Sequence, residues 1–155
     1  MNNNAIAARF VKCDASEVKT DLPIPEEIVL PRRSSPNSAG YDFYCPYDVE
    51  IPPHGEVVIP MWVKCIDMPS DMVLQLYVRS SIGIKRGLSL SNGTGIIDSD
   101  YVWCIYVALC SRRDEAVRIE KGERIVQGIF SRYYVTSDDI PISMERIGGI
   151  GSSGK

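Results

Sequence analysis

Apolar and polar positions alternate along much of the chain after Gly40. Leu74, Leu76 and Val78 interleave with Gln75, Tyr77 and Arg79, a period of two that marks a half-buried strand and sets Arg79 on the face opposite the apolar residues. Similar β-branched and aromatic runs recur between turn signals at Tyr41–Cys45, Val57–Val63, Met72–Arg79, Leu88–Leu90, Gly95–Ile97, Trp103–Cys110, Ala116–Ile119 and Ile125–Val135. Only Ser80–Arg86 reads as a helical turn. Many short strands predict an all-β fold, a sandwich or jelly roll, in a single domain over residues 1–155. Residues 1–37 are interrupted by Pro23, Pro25, Pro31 and Pro36 and read as a frayed start followed by short strand pieces. Residues 146–155 form a Gly/Ser-rich C-terminal tail without strand pattern, expected to be flexible.

One strand departs from the alternation. Trp103, Ile105, Val107 and Leu109 fall on one face of Val102–Cys110, while Val102, Cys104, Tyr106, Ala108 and Cys110 fall on the other. Both faces are largely apolar, so the strand is expected to be covered on both sides, within the chain or by a neighbouring subunit.

Composition narrows the function classes. A chain of 155 residues buries roughly 68–70% of its unfolded surface, enough for a core without staples. The net charge of −3 supplies no basic field for a long polyanion, so nucleic acid is not an expected partner. A compact phosphate ligand stays open, because local arginines, backbone amides and a divalent metal can hold one whatever the overall charge. Five cysteines without CxxC spacing point to reduced thiols rather than to zinc. With no signal-peptide pattern and no long apolar run, a cytoplasmic protein without membrane association is expected.

The densest chemistry lies at Asn92-Gly93-Thr94-Gly95-Ile96-Ile97-Asp98-Ser99-Asp100-Tyr101. Asn92-Gly93 predicts a tight hairpin with positive φ at both central residues, able to present bare N–H and C=O groups. Asp98 follows two isoleucines, where a carboxylate could orient a water or hydroxyl; alternatively Asp98 and Asp100 simply end a strand in solvent. The only histidine, His54, sits in a Pro-Pro-His-Gly turn with no relay partner. The run Gly149–Lys155 matches Gly-x4-Gly-Lys, but no Ser/Thr or helix follows Lys155 in this sequence to complete a P-loop.

Five segments occur in order: Ser38-Ala39-Gly40-Tyr41-Asp42-Phe43, Val78-Arg79-Ser80-Ser81-Ile82-Gly83, the Asn92–Tyr101 segment, Gly122-Glu123-Arg124-Ile125-Val126-Gln127 and Gly148-Gly149-Ile150-Gly151-Ser152-Ser153-Gly154. Together they resemble the five motifs of the homotrimeric dUTPase family, over roughly Ser38 to Lys155. The resemblance implies a jelly-roll-like β-sandwich, dUTP as substrate, Mg²⁺ as cofactor and a homotrimer with shared active sites. It implies that Asp98 is catalytic, orienting the water that attacks the α-phosphorus in line, and that Asp42 holds waters of the Mg²⁺. It assigns Arg79, Ser80, Ser81 and Gln127 to the phosphates. Asn92 and the backbone of Gly95–Ile97 would read uracil, and Tyr101 would stack on the deoxyribose and crowd out a 2′-hydroxyl. Arg146, Ile150, Gly151 and Ser152 would close over the substrate from the tail. Each site would draw the Asp42, Arg79 and Gln127 motifs from one chain, the Asn92–Tyr101 segment from another and the tail from the third.

The chain also departs from the family pattern. Val102-Trp103-Cys104 replaces polar residues usual after the tyrosine, Ile150 stands where many relatives carry an aromatic, and Arg146 is one residue nearer to it. Two rival readings follow. A dCTP deaminase shares the fold but needs a catalytic Glu, and alignment on Asp98 puts Ala108 there. A nucleotide-sensing or protein-binding module on the same fold would use a regulatory protein partner, a role that can coexist with catalysis.

Overall fold

The computed structural model describes residues 5–140 together with Ser143, Arg146, Gly148 and Gly149. Ile150, Gly151 and Ser152, expected to contact substrate, lie outside the described residues. Eleven strands are formed among those described: β1 Arg9–Lys12, β2 Tyr41–Tyr44, β3 Val49–Ile51, β4 Glu56–Pro60, β5 Val63–Ile66, β6 Met72–Val78, β7 Leu88–Leu90, β8 Gly95–Asp98, β9 Tyr106–Ser111, β10 Val117–Ile119 and β11 Arg124–Arg132. The one helical turn between β6 and β7 spans Ser81–Lys85, within the predicted Ser80–Arg86.

All paired strands are antiparallel, in sheets ordered β2-β11-β6-β8 and β4-β9-β7 with two-stranded ribbons β1-β5 and β3-β10. A single apolar core joins them: Phe43, Leu74 and Ile125 from the first sheet meet Ile59, Leu88 and Leu109 from the second, with Ile51 and Ile119 from one ribbon. These side chains are almost fully enclosed, each contributing about 1.5–3 kcal/mol by leaving water. The result is the all-β, jelly-roll-like sandwich expected from the strand pattern.

Three local expectations are corrected. The run Val57–Val63 is two strands, not one, because the chain turns at Trp62, whose φ is +58°. That unfavourable backbone is held by burial of the indole and its donation from Nε1 to the Tyr47 hydroxyl at 2.6 Å. The strand expected at Trp103 starts instead at Tyr106, since Ile105 spends its backbone groups on the corner around Trp62, donating to the Val63 carbonyl and accepting from the Met61 N–H, both at 2.9 Å. Within β9 the inner residues Val107, Leu109 and Ser111 are buried while Tyr106, Ala108 and Cys110 are only half-buried, so the described residues cover the second face only in part.

The third correction bears on the site. Asn92-Gly93 does not close a hairpin: β7 pairs with β9 and β8 with β6, so the turn carries the chain from one sheet to the other. Only Gly93 takes positive φ, at +73°, while Asn92 does not, and Gly93 N–H donates to the Leu90 carbonyl at 3.0 Å. A crossover between sheets leaves a cleft at the turn, which a flat hairpin would not.

Candidate active site

Asp42 lies on β2, buried, facing Arg79 at the end of β6 and Arg124 at the start of β11. Arg79 Nε reaches Asp42 Oδ1 at 3.0 Å and Arg124 Nη1 reaches Oδ2 at 3.0 Å, so one carboxylate anchors two guanidiniums. Gln127 stands opposite Asp42 in the β2–β11 register and opposite Tyr77 in the β11–β6 register. Gly40 leaves room for it: a Cβ there would fall 2.6 Å from Gln127 Oε1. Ser80 and Ser81 are exposed at the head of the helical turn, and a cavity of ≈ 410 Å³ opens beside them, lined by Arg79, Ser81, Lys85, Arg86 and Arg124 among others. Four cations around one exposed concavity suit a compact polyanion.

The Asn92–Tyr101 segment builds a different space. Asn92, Gly95, Ile96, Ile97 and Tyr101 line a cavity of ≈ 410 Å³ whose far wall is Val58, Tyr106 and Ala108 from the facing sheet. Gly95 and Ile97 are buried and Asn92 is exposed at the mouth. Tyr101 is fixed by donation from its hydroxyl to the Cys104 carbonyl at 2.7 Å and by an edge-on contact with Trp103, ring centroids 5.7 Å apart. Burial pushes the Tyr101 phenol up to about 12, so it is a neutral donor throughout the physiological range. Asp98, at the end of β8, is half-exposed and accepts from Arg146 Nη2 at 2.6 Å; Arg146 Nε also meets Asp100 Oδ1 at 2.9 Å, and its guanidinium lies 5.9 Å from the centre of the Tyr101 ring.

These two groups do not meet within one chain. Asp98 pairs with Val73 on β6 while Arg79 follows the far end of that strand, six residues on, or ~20 Å at the usual rise per residue. The cavities share no lining residue. Of the expected site residues described here, Asp42, Arg79, Ser80, Ser81 and Gln127 gather at one end of β6. Gly95, Ile97 and Asp98 lie along β8 opposite Leu76, Leu74 and Val73, with Asp98 nearest the far end of β6, and Asn92, Gly95, Ile97, Tyr101 and Arg146 line the other cavity.

The donor set restricts how a divalent cation can be held. Among the described residues no group of three or more His, Cys, Asp or Glu could bind a metal, and both Asp42 oxygens already accept a guanidinium bond. The described residues therefore offer no cage of their own. A hydrated ion fits if phosphate oxygens supply the inner ligands and the remaining lone pairs of Asp42 accept from its waters.

Sequence reasoning overlooked Arg124 and Tyr106. Arg124 stands inside one of the ordered segments, opposite Tyr44 in the β2–β11 register, and its side chain reaches along β2 to Asp42; an arginine two residues after Gly122 could have flagged it. Tyr106 carried no such signal, being an aromatic in an apolar run.

Comparison with known proteins matches these observations. The family model described as dUTPase matches residues 26–154. The deoxyuridine 5'-triphosphate nucleotidohydrolase of Lactococcus lactis is 40% identical over 134 residues, covering 82% of this chain and 89% of that protein. The crystal structure of the Streptococcus mutans dUTPase, 32% identical, superposes with a TM-score of 0.69 over 82% of this chain and 97% of that one. The dUTPase of Staphylococcus aureus phage phi11, for which a structural Mg(II) ion is described, shares the fold at 16% identity and a TM-score of 0.68 over 89% of this chain and 98% of that one. With its ordered motifs gathered on this sandwich and its matched residues spanning both half-sites, the chain belongs to the dUTPase family of deoxyuridine triphosphate hydrolases.

Proposed function

We propose that the protein hydrolyses dUTP to dUMP and pyrophosphate at sites assembled between the chains of a homotrimer. The observation that carries this reading is the split site: a nucleoside-sized cavity beside β8 and a cationic cavity around Arg79 share no lining residue, and Asp98 lies ~20 Å along β6 from Arg79, too far to act on a phosphate held there unless another subunit brings the second half. The half-covered face of β9 is available for that contact.

In the first half, the main chain of Gly95–Ile97 and the Asn92 amide pair with the uracil edge. Cytosine would leave buried polar groups mismatched, which such a site rejects strongly. Tyr101 supplies the platform for the deoxyribose. Asp98 accepts a proton from the attacking water and aims it at the α-phosphorus, with positioning the main contribution. In the second half, Arg79 and the Ser80 and Ser81 hydroxyls bind the phosphate chain, Gln127 contacts its oxygens or a metal-bound water, and Asp42 keeps Arg79 in place while accepting from waters of the ion. When bound, Mg²⁺ neutralises charge on the departing pyrophosphate. Arg146 brings a cation over Asp98 and toward the substrate, and Ile150, Gly151 and Ser152 close the site from the tail.

The activity would limit uracil in DNA and supply dUMP for thymidylate synthesis, in a cytoplasm whose reducing conditions match the five free cysteines. The deaminase reading is disfavoured because Ala108 faces the nucleoside cavity where that chemistry needs a carboxylate. Pyrophosphate release from dUTP, dCTP, dTTP and UTP with Mg²⁺, for the native protein and Asp98→Asn, tests the proposal. Turnover confined to dUTP and lost in the variant supports it; ammonia from dCTP, or equal turnover by Asp98→Asn, sinks it.

A further inference from the structure

A second cavity of ≈ 380 Å³ adjoins the nucleoside cavity, and the two have Tyr101, Tyr106 and Gly149 in common. The base-reading residues Asn92 and Gly95–Ile97 line only the first, whereas Trp103, Glu17 and Lys19 line only the second. The boundary between them therefore lies at the Tyr101 end, where the sugar is placed, and the Tyr106 side chain stands in it.

Tyr106 is held there by a segment that precedes the family match at residue 26. Its hydroxyl accepts from the Lys19 N–H at 2.8 Å and donates to the Lys19 carbonyl at 3.3 Å. That segment is itself pinned: Cys13 N–H donates to the Trp62 carbonyl at 3.0 Å, Glu17 pairs with Lys64, and Cys13 and Val18 pack with Trp62 and Cys104 in a small apolar cluster against which Tyr106 rests. A phenol bonded both ways to backbone and packed on a fixed cluster cannot swing aside without losing two hydrogen bonds.

We propose that Tyr106 is a further specificity-determining residue, a wall between the two cavities that works with Tyr101 to exclude the ribose 2′-hydroxyl and is fixed by the Cys13–Lys19 segment. The inference rests on reading the first cavity as the nucleoside site. With the ring removed the cavities merge, and a ribonucleotide finds room for the extra hydroxyl.

The test is calorimetric binding of dUMP and UMP to the full-length protein, with kcat/KM for dUTP and UTP alongside. Tyr106→Ala and Tyr106→Leu should each lower the deoxy/ribo preference about tenfold, within the range expected when a pocket rejects one small added group. Tyr106→Phe keeps the ring but loses both hydrogen bonds, and should lower the preference by no more than about fivefold, the lower bound for two lost net hydrogen bonds. An unchanged preference in either the Ala or the Leu variant, or a Phe variant as unselective as Ala, overturns the proposal. Native protein that binds neither mononucleotide refutes the nucleoside-site reading and the inference together, whereas tight dUMP binding with an unmoved ratio refutes the inference alone.

Discussion

The two ends of β6 solve opposite problems. Beyond Val78 the strand delivers Arg79 into a group of charges that satisfy one another, with Asp42 almost out of solvent and both of its oxygens committed to arginines. Around Met72–Leu76 it pairs with β8 beside a cavity walled by apolar side chains and main chain, where the one catalytic candidate, Asp98, is half-exposed and held by Arg146 of the tail segment. A polyanion must be met by cations already aimed, since reorganising them during binding costs affinity. A base and sugar are selected by shape and by main-chain donors, and the carboxylate beside them must stay free to take a proton. Buried charge at one end and near-neutral walls at the other are the physical signatures of those tasks.

The sharpest way to break this comparison is to disable each end separately. Asp98→Asn and Arg79→Ala should each lower kcat by about 10²–10⁴-fold, the usual span for a lost general base or a lost charge stabiliser. In the proposed trimer each site joins the two ends from different subunits, so unfolding and refolding the two inactive variants together should restore about a quarter of native activity, the fraction of sites that receive one intact half from each chain type. No recovery would mean that each chain uses its own two ends.

Asp42→Asn attacks the charged end from inside. Leaving two guanidiniums without their buried partner should cost about 3–5 kcal/mol of stability, seen as a lower urea midpoint, together with a raised KM for dUTP. A variant as stable as the native protein would show that Arg79 and Arg124 are held by other contacts.

The nucleoside end has its own vulnerability, to alkali. Tyr101 is raised by burial from an ordinary value of 10.0 to about 12, so the folded state keeps its proton where the unfolded chain has lost it. Its contribution is complete below pH ~10 and is lost as pH rises toward ~12, at most about 2–3 kcal/mol. Cys45 and Cys65, raised by burial to about 11, add to the decline from pH ~9. Melting temperatures between pH 8 and 12 should fall less steeply in Tyr101→Phe.

The smallest effect is expected at the brace outside the family match. Glu17 is held below its ordinary value by the hydrogen bond from Lys64, so the pair stabilises above that value and fades as pH falls through the lowered one. Glu17→Gln should cost about 1 kcal/mol near neutrality and nothing in strong acid, by calorimetry at each pH.

Much of the fold was legible in local pattern. The strands over Tyr41–Tyr44, Met72–Val78, Leu88–Leu90, Gly95–Asp98 and Val117–Ile119 lie within a residue or two of the runs that announced them, because alternation and β-branched content are properties of neighbouring residues. The helical turn after Arg79 was equally visible. Missed were β1, β3 and all but the first residue of β5, three- to four-residue strands whose existence depends on distant partners: β1 pairs with β5 and β3 with β10. The break at Trp62 was hidden because it depends on the Tyr47 hydroxyl, fifteen residues away.

For the site, residue order alone singled out the candidates: Asp42, Arg79, Asn92, Asp98, Tyr101 and Gln127 stand out by type and spacing in their ordered segments. What spacing could not express was which of them share a space. Only the strand pairing put Arg124 on Asp42, sent the Asn92-Gly93 turn between sheets rather than around a hairpin, and separated Asp98 from Arg79 by the length of β6. Likewise only the folded chain brought Lys19 to Tyr106, eighty-seven positions apart. Residue type and short-range pattern are set by covalent neighbours, whereas distance between remote residues is set by core packing, which is decided by the whole chain at once.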